Sequence, residues 1–223
     1  MTRNEVESYQ TVLNILTVTE RCIRTANNIL TSDYPKHALS EVYLDIASWF
    51  QSYIINADTL AQQIDGARGV PTPSYTRQQK AVRLAGKAIR NVVAHEGLWI
   101  PTLKSGVHAG LGQLTYLGIS SDKVISSIDK VYEKRCHISD ADSQRQVDAK
   151  RYIEDKALSS ITRIDRFLVD HIAAVFPPAI GKLEDYISKP SVVENDTYQR
   201  SLNLLGLADI LKRIKSYNCY PTK

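Results

Sequence analysis

YTRQQKAVRLAGKAIRNVVAHEG, residues 75–97, is the stretch that decides how this chain folds. At about 100° of rotation per residue, Ala81, Val82, Ala85, Ile89, Val92 and Val93 gather on one side of a helix. Lys80, Arg83, Lys87, Arg90, Asn91 and His95 gather on the other, with Arg77 near the edge. An apolar stripe backed by a basic one marks a helix that packs one side against a core. The spacing predicts a helix over about 75–96, with Gly97 as its left-handed C-terminal cap.

The same periodicity extends in both directions. Val6, Tyr9, Leu13, Leu16, Ile23 and Leu30 recur at mostly three- and four-residue steps and predict a helix over about 4–31. Asp33-Tyr34-Pro35 supplies a break and a new start. A second helix, about 36–65, carries Leu39, Val42, Tyr43, Ile46, Trp49, Phe50, Tyr53, Ala57, Leu60 and Ile64 to the core and ends at Gly66. Gly69-Val70-Pro71-Thr72-Pro73 reads as a connector. Residues 98–119, with Pro101, Gly106, Gly110, Gly112 and Gly118, read as an irregular and mobile segment.

Ser120-Ser121-Asp122 is a capping cluster for a helix near 121–135. A long helix over about 141–176 should be stopped by Pro177-Pro178. A short helix near 179–188 and a last one near 196–216 complete the chain. Strand alternation is essentially absent from this reading, and no internal repeat is found. The expected fold is all-α, a single domain over 1–223 built as a bundle of about six or seven helices.

Bulk properties narrow the class. With 223 residues, 43% apolar and 23% charged, the chain is of a size and composition that can bury a core of its own. The formal charge of +4 permits an anionic partner without demanding one. Cys22, Cys136 and Cys219 are odd in number and far apart, which predicts a reducing compartment and no disulfide framework. The first residues lack the layout of a signal peptide, and no apolar run reaches the length of a membrane span. The expected setting is the cytoplasm, with no membrane partner. Asn195-Asp196-Thr197 matches a glycosylation sequon, which this setting leaves unused.

The predicted third helix also carries Arg90-Asn91-Val92-Val93-Ala94-His95. An arginine, a polar residue, three spacers and a histidine resemble the signature of the HEPN superfamily, whose members are helical and include many metal-independent ribonucleases. The chain holds a second arginine–histidine spacing, Arg166-Phe167-Leu168-Val169-Asp170-His171, but Phe167 stands where the signature prefers a polar residue. The resemblance implies a HEPN-like core and an endoribonuclease, acting as a toxin or an antiviral-defence effector beside a nucleotidyltransferase-type antitoxin. It implies His95 as general acid or base, Arg90 as phosphate clamp and Asn91 as positioning residue. These types suit cleavage of RNA through its 2′-hydroxyl, because histidine exchanges protons near neutral pH and arginine offers a permanently charged fork.

On one unbroken helix Arg90 and His95 lie about 140° apart, too divergent to grip one phosphate. The family's solution is a homodimer whose two motif helices share a cleft, and the resemblance implies that solution here. Lys80, Arg83 and Lys87 extend the charge along the helix and would attract the RNA backbone without reading sequence.

The remaining polar residues carry less. His108 either approaches the site by folding of its loop or is simply solvated. Trp99 either stacks on a base or plugs the helix end. His37 is expected on the surface, His137 beside Cys136 falls short of a zinc site, and Glu96 points toward the core side without a role. No phosphate-cradling glycine motif, nucleophile elbow or metal-binding His-Glu-x-x-His is found, so no metal or other cofactor is expected. Two alternatives stand beside the nuclease: a HEPN-like module that binds nucleotide or RNA without cutting, and an unrelated helical interaction protein.

Overall fold

A computed structural model describes residues 3–32, 40–66, 73–95, 101–108, 112–133, 137–187 and 198–221. Gly97, Glu96, Trp99, His37, Cys136 and the sequon at Asn195 lie outside the described residues. Seven helices are described: α1 (Arg3–Thr31), α2 (Ser40–Gly66), α3 (Arg77–His95), α4 (Ser121–Glu133), α5 (Asp140–Lys156), α6 (Ile164–Ile187) and α7 (Tyr198–Ser216). The architecture is a helical bundle, as the periodicity predicts, with a small sheet attached.

Helix α3 lies in the middle of the bundle, packed against α2, α4, α5 and α6. Its sequence explains the position. Ala81, Ala85, Gly86 and Ala88 are buried together with Val82, Leu84, Ile89 and Val93, so small side chains let several helices approach one axis. The buried face is wider than the single apolar stripe of the sequence, because Leu84, Gly86 and Ala88 are covered as well. Thr76 caps the helix reciprocally. The Gln79 N–H donates to Thr76 Oγ1 at 3.2 Å, and the Thr76 N–H donates to Gln79 Oε1 at 2.9 Å, a capping box that satisfies two donors at the helix start.

Around α3 the core is one continuous cluster. Leu16 and Ile23 of α1, Phe50 and Tyr53 of α2, Ile153 of α5, and Phe167, Leu168 and Phe176 of α6 are all almost wholly buried within it. Phe50 meets Phe167 edge-on with ring centroids 6.2 Å apart, and Tyr53 meets Phe176 in the same way at 6.5 Å, the geometry that aromatic quadrupoles favour.

Three expectations are corrected. Residues 98–119 are not irregular where described: β1 (Thr102–His108) and β2 (Gly112–Ser120) form an antiparallel hairpin, with Thr102 opposite Gly118 and His108 opposite Gly112. Leu103, Tyr116, Leu117 and Ile119 supply apolar, aromatic and β-branched side chains that suit a pleated surface. Gly106, Gly112 and Gly118, which read as irregular chain, lie within these strands instead.

The second correction concerns the long helix expected over 141–176, which is split. Helix α5 ends at Lys156, and β3 (Ala157–Leu158) turns into β4 (Ile161–Arg163) before α6 begins. Ser159 (φ 50°) and Ser160 (φ 62°) occupy the left-handed region at the turn. Two positive φ values in succession match the hairpin turn whose twist fits antiparallel strands. Strand β4 pairs with β2, giving a four-stranded antiparallel sheet in the order β1-β2-β4-β3. Gly118 permits this contact. A Cβ there would stand 2.2 Å from Ile161 Cγ2 and 2.7 Å from the Thr162 carbonyl oxygen.

The third correction is that Pro177 and Pro178 do not stop α6, which continues to Ile187 without a separate short helix. A proline inside a helix costs about 3 kcal/mol. Here Val175 and Phe176 before the pair, and Ala179, Ile180 and Leu183 after it, are all buried in the core. That packing holds the helix through the defect.

Candidate functional site

The residues singled out by the sequence fall on two sides of α3. Asn91, Val92 and His95 line one side of a cavity of about 550 Å³, and Asp122, Lys123, Ser126, Ser127 and Lys130 of α4 line the other. Helix α4 is presented there by its start. Ser120 Oγ accepts from the Lys123 N–H at 3.4 Å, and Ser121 Oγ lies 2.9 Å from Thr162 Oγ1 of β4. Ser127 donates to the Ala88 carbonyl at 3.1 Å, which pins α4 against α3 one turn below Asn91. His95 is exposed and Asn91 half-buried, so a polar ligand reaches both.

Arg90 sits apart from that cavity's lining. Its Nε lies 3.5 Å from Asp58 Oδ2 of α2, and its Nη1 donates to Asn91 Oδ1 at 3.0 Å. The hydrogen bond is the link between the two halves of the motif. The chain therefore brings Asn91 and His95 into a common cavity and holds Arg90 beside it, tied to α2. This agrees with the angular divergence read from the helix.

The basic stripe has a definite partner. Arg83 pairs with Asp65 at 2.8 Å and lies 3.9 Å above the Tyr75 ring. Arg90 and Arg83 are seven residues apart on α3, and Asp58 and Asp65 are seven apart on α2. The later arginine meets the earlier aspartate, so the two helices run antiparallel with rungs about two turns apart. Lys80 and Lys87, by contrast, are exposed and have no ion-pair partner among the described residues. Arg83 would have to leave a carboxylate to hold a phosphate; the two lysines would not.

The lysines and Arg83 line a second cavity, of about 270 Å³, that shares no lining residue with the first. Its other polar groups come from elsewhere: Asp58, Gln62 and Asp65 of α2, Tyr132 of α4, Arg145 of α5 and His171 of α6. The second arginine–histidine spacing resolves here. Arg166 is exposed, whereas His171 is 4% exposed and stacked on Phe167 with ring centroids 4.9 Å apart. Burial, assisted by the nearby Arg83 charge, pushes the His171 pKa down to about 3. His171 is thus a neutral core imidazole.

Lys123, Lys130, Asp122, Arg145 and His171 were missed as site residues by the sequence reading. The matched seven-residue spacings of α2 and α3 were a usable signal for the ion-pair rungs. Which face of α4 meets α3 has no comparable signal in one sequence.

The side chain of His108 lies outside the described residues, and His137 is exposed. Cys22 is buried, which pushes its thiol up to about 12, and burial likewise raises Cys219 to about 11, so neither is a ready thiolate. Among the described residues no three His, Cys, Asp or Glu side chains are grouped to hold a metal, and no helix is long and apolar enough to cross a membrane. Comparison with models of known protein families, with curated proteins and with solved structures finds no match to this chain.

Proposed function

We propose that the chain is a HEPN-like, metal-independent endoribonuclease that works as a homodimer, with Arg90 and His95 of two protomers completing a composite site. The observation that carries this reading is the cavity between α3 and α4. Asn91 and His95 open into it beside Lys123 and Lys130, and Arg90 is hydrogen-bonded to Asn91 at its edge. Two lysines facing an exposed histidine suit a phosphodiester, since ammonium groups attract the backbone wherever it passes. In this reading His95 moves the 2′-hydroxyl or leaving-group proton and Asn91 orients the ribose or the imidazole. Arg90, supplied across the two-fold axis, stabilises the charge that develops on phosphorus. The setting is the cytoplasm, and a nucleotidyltransferase-type antitoxin is the partner class that the resemblance implies.

The test is cleavage by purified protein. His95→Ala and Arg90→Ala each abolish cutting while helix content and dimerisation persist, because neither side chain fills the core. Wild-type cleavage persists in excess chelator and leaves 2′,3′-cyclic phosphate ends. Cutting retained by His95→Ala, or a strictly monomeric protein in light scattering, removes the composite site.

A second reading has one observation in its favour. Arg90 is engaged by Asp58 and does not line the cavity, as expected of a module that binds RNA without cutting it. Binding without cleavage across transfer, messenger and ribosomal RNA decides for it.

A further inference from the structure

The 270 Å³ cavity on the other side of α3 has the chemistry of an anion site. Four cationic side chains, Lys80, Arg83, Lys87 and Arg145, face two carboxylates there, a surplus of two positive charges. Both carboxylates are already matched, Asp65 by Arg83 and Asp58 by Arg90, which lies outside the lining. Arg145 pairs with Asp142, also outside the lining, at 3.3 Å, so Lys80 and Lys87 bring the charge that no carboxylate of the described residues neutralises.

The base of the cavity carries a hydrogen-bond donor without an acceptor. Tyr53 is wholly buried, and its hydroxyl meets His171 Nδ1 at 2.8 Å. That is its one hydrogen-bond partner among the described residues. A buried tyrosine proton needs an acceptor, so the hydroxyl donates to Nδ1, and the neutral imidazole carries its own proton on Nε2. Nε2 has no partner among the described residues. Gly86 gives it room: a Cβ at position 86 would stand 2.3 Å from Nε2. The absent side chain lets the imidazole edge reach the surface of α3, immediately beside Lys87. Beside Gln62 and Tyr132, Ile54, Ala57, Ala61, Leu84, Val131 and Val175 give the lining an apolar portion. An imidazole donor without a protein acceptor, on a side chain only 4% exposed and next to unmatched ammonium groups, is complementary to an anion with a compact apolar or ring portion.

We propose that this cavity binds a small organic phosphate, with Lys87, Lys80 and Arg145 on the phosphate and the His171 Nε2–H donating to a ligand acceptor. The site is separate from the Asn91–His95 cavity and does not rest on the nuclease reading.

Titration calorimetry on the full-length protein tests it, with ribose 5-phosphate, AMP, inorganic phosphate and a single-stranded RNA oligomer as probes. The expected result is saturable one-to-one binding of at least one organic phosphate, with inorganic phosphate weaker. Lys87→Gln and Arg145→Gln, both at accessible positions, each weaken binding about tenfold, the loss typical of one charge-assisted hydrogen bond. His171→Asn keeps an acceptor for Tyr53 but removes the Nε2 donor, and it weakens binding severalfold with helix content unchanged. No binding of ribose 5-phosphate, AMP or phosphate overturns the proposal. So does binding that Lys87→Gln and Arg145→Gln leave intact. Binding confined to the RNA oligomer overturns it too, since the cations would then be a backbone track. Loss of RNA cleavage in His95→Ala has no bearing on this result, so the two readings fail separately.

Discussion

Acidification should destabilise this protein through His171 before its carboxylates matter. In the unfolded chain the imidazole takes up a proton near pH 6.5, whereas in the folded chain burial delays that uptake to about pH 3. Between those values the unfolded state binds the extra proton. The His171 contribution is therefore complete above pH 6.5 and is lost as the pH falls toward 3. The slope approaches about 1.4 kcal/mol per pH unit, so about 2 kcal/mol is lost between pH 7 and pH 5. That is a large part of an ordinary stability of about 5–15 kcal/mol. The paired carboxylates act lower on the scale. Glu20 is held below its usual value by its hydrogen bond from Arg213, and Asp148 by that from Arg77. Their stabilisation is present above their unfolded pKa and lost only as the pH falls through the lowered folded value. Urea unfolding followed by far-UV circular dichroism at about pH 7, 6 and 5 measures the slope. His171→Asn is the control: it lowers stability outright but flattens the dependence over this range. Parallel losses in wild type and variant would refute the assignment.

Two further substitutions probe the surroundings of α3. Gly86→Ala drives a methyl group to 2.3 Å from His171 Nε2 and 2.8 Å from Cδ2. It should cost about 1–3 kcal/mol in thermal or urea unfolding, the usual cost of overpacking. The cost should shrink when His171→Asn is combined with it; an additive double variant would show that the two sites do not meet. Asp58→Asn removes the counter-charge 3.5 Å from Arg90. Stability should change by less than about 1 kcal/mol, as for partly exposed pairs. RNA affinity in a filter-binding assay should rise severalfold, and unchanged affinity would show that Arg90 takes no part in RNA binding.

The helical frame was legible because it depends on local spacing. The predicted spans near 4–31, 36–65 and 75–96 coincide within a few residues with α1, α2 and α3. The misreadings occurred where a long-range contact overrode a local signal. Gly110, Gly112 and Gly118 read as irregular chain, yet β2 is held by β1 on one side and by β4, far along the sequence, on the other. Ser159 and Ser160 are unremarkable in a helical pattern, because the positive φ they adopt is imposed by the strands they join. Pro177-Pro178 is a strong local stop that buried neighbours on both sides outweigh. Of the motif, the angular separation of Arg90 from His95 followed from helix geometry alone. The attachment of Arg90 to Asp58 did not, since nothing local says which helix lies alongside.

The sheet also bears on how the chain reaches its native state. Strand β2 meets β4 by pairing Gly118 with Arg163, so α4 and the whole of α5 lie inside the closed loop. Closing a loop of that length carries an entropic cost before its contacts repay it, whereas helices form from neighbours. The order of events follows. The hairpins β1–β2 and β3–β4 are local and can form early. Their joining must wait until α4 and α5 dock on α3 and bring the two ends together. The strand contact thus works as a late latch on the region after the motif helix. It makes the placement of α4, and with it one wall of the Asn91–His95 cavity, cooperative with the folding of residues some forty positions downstream.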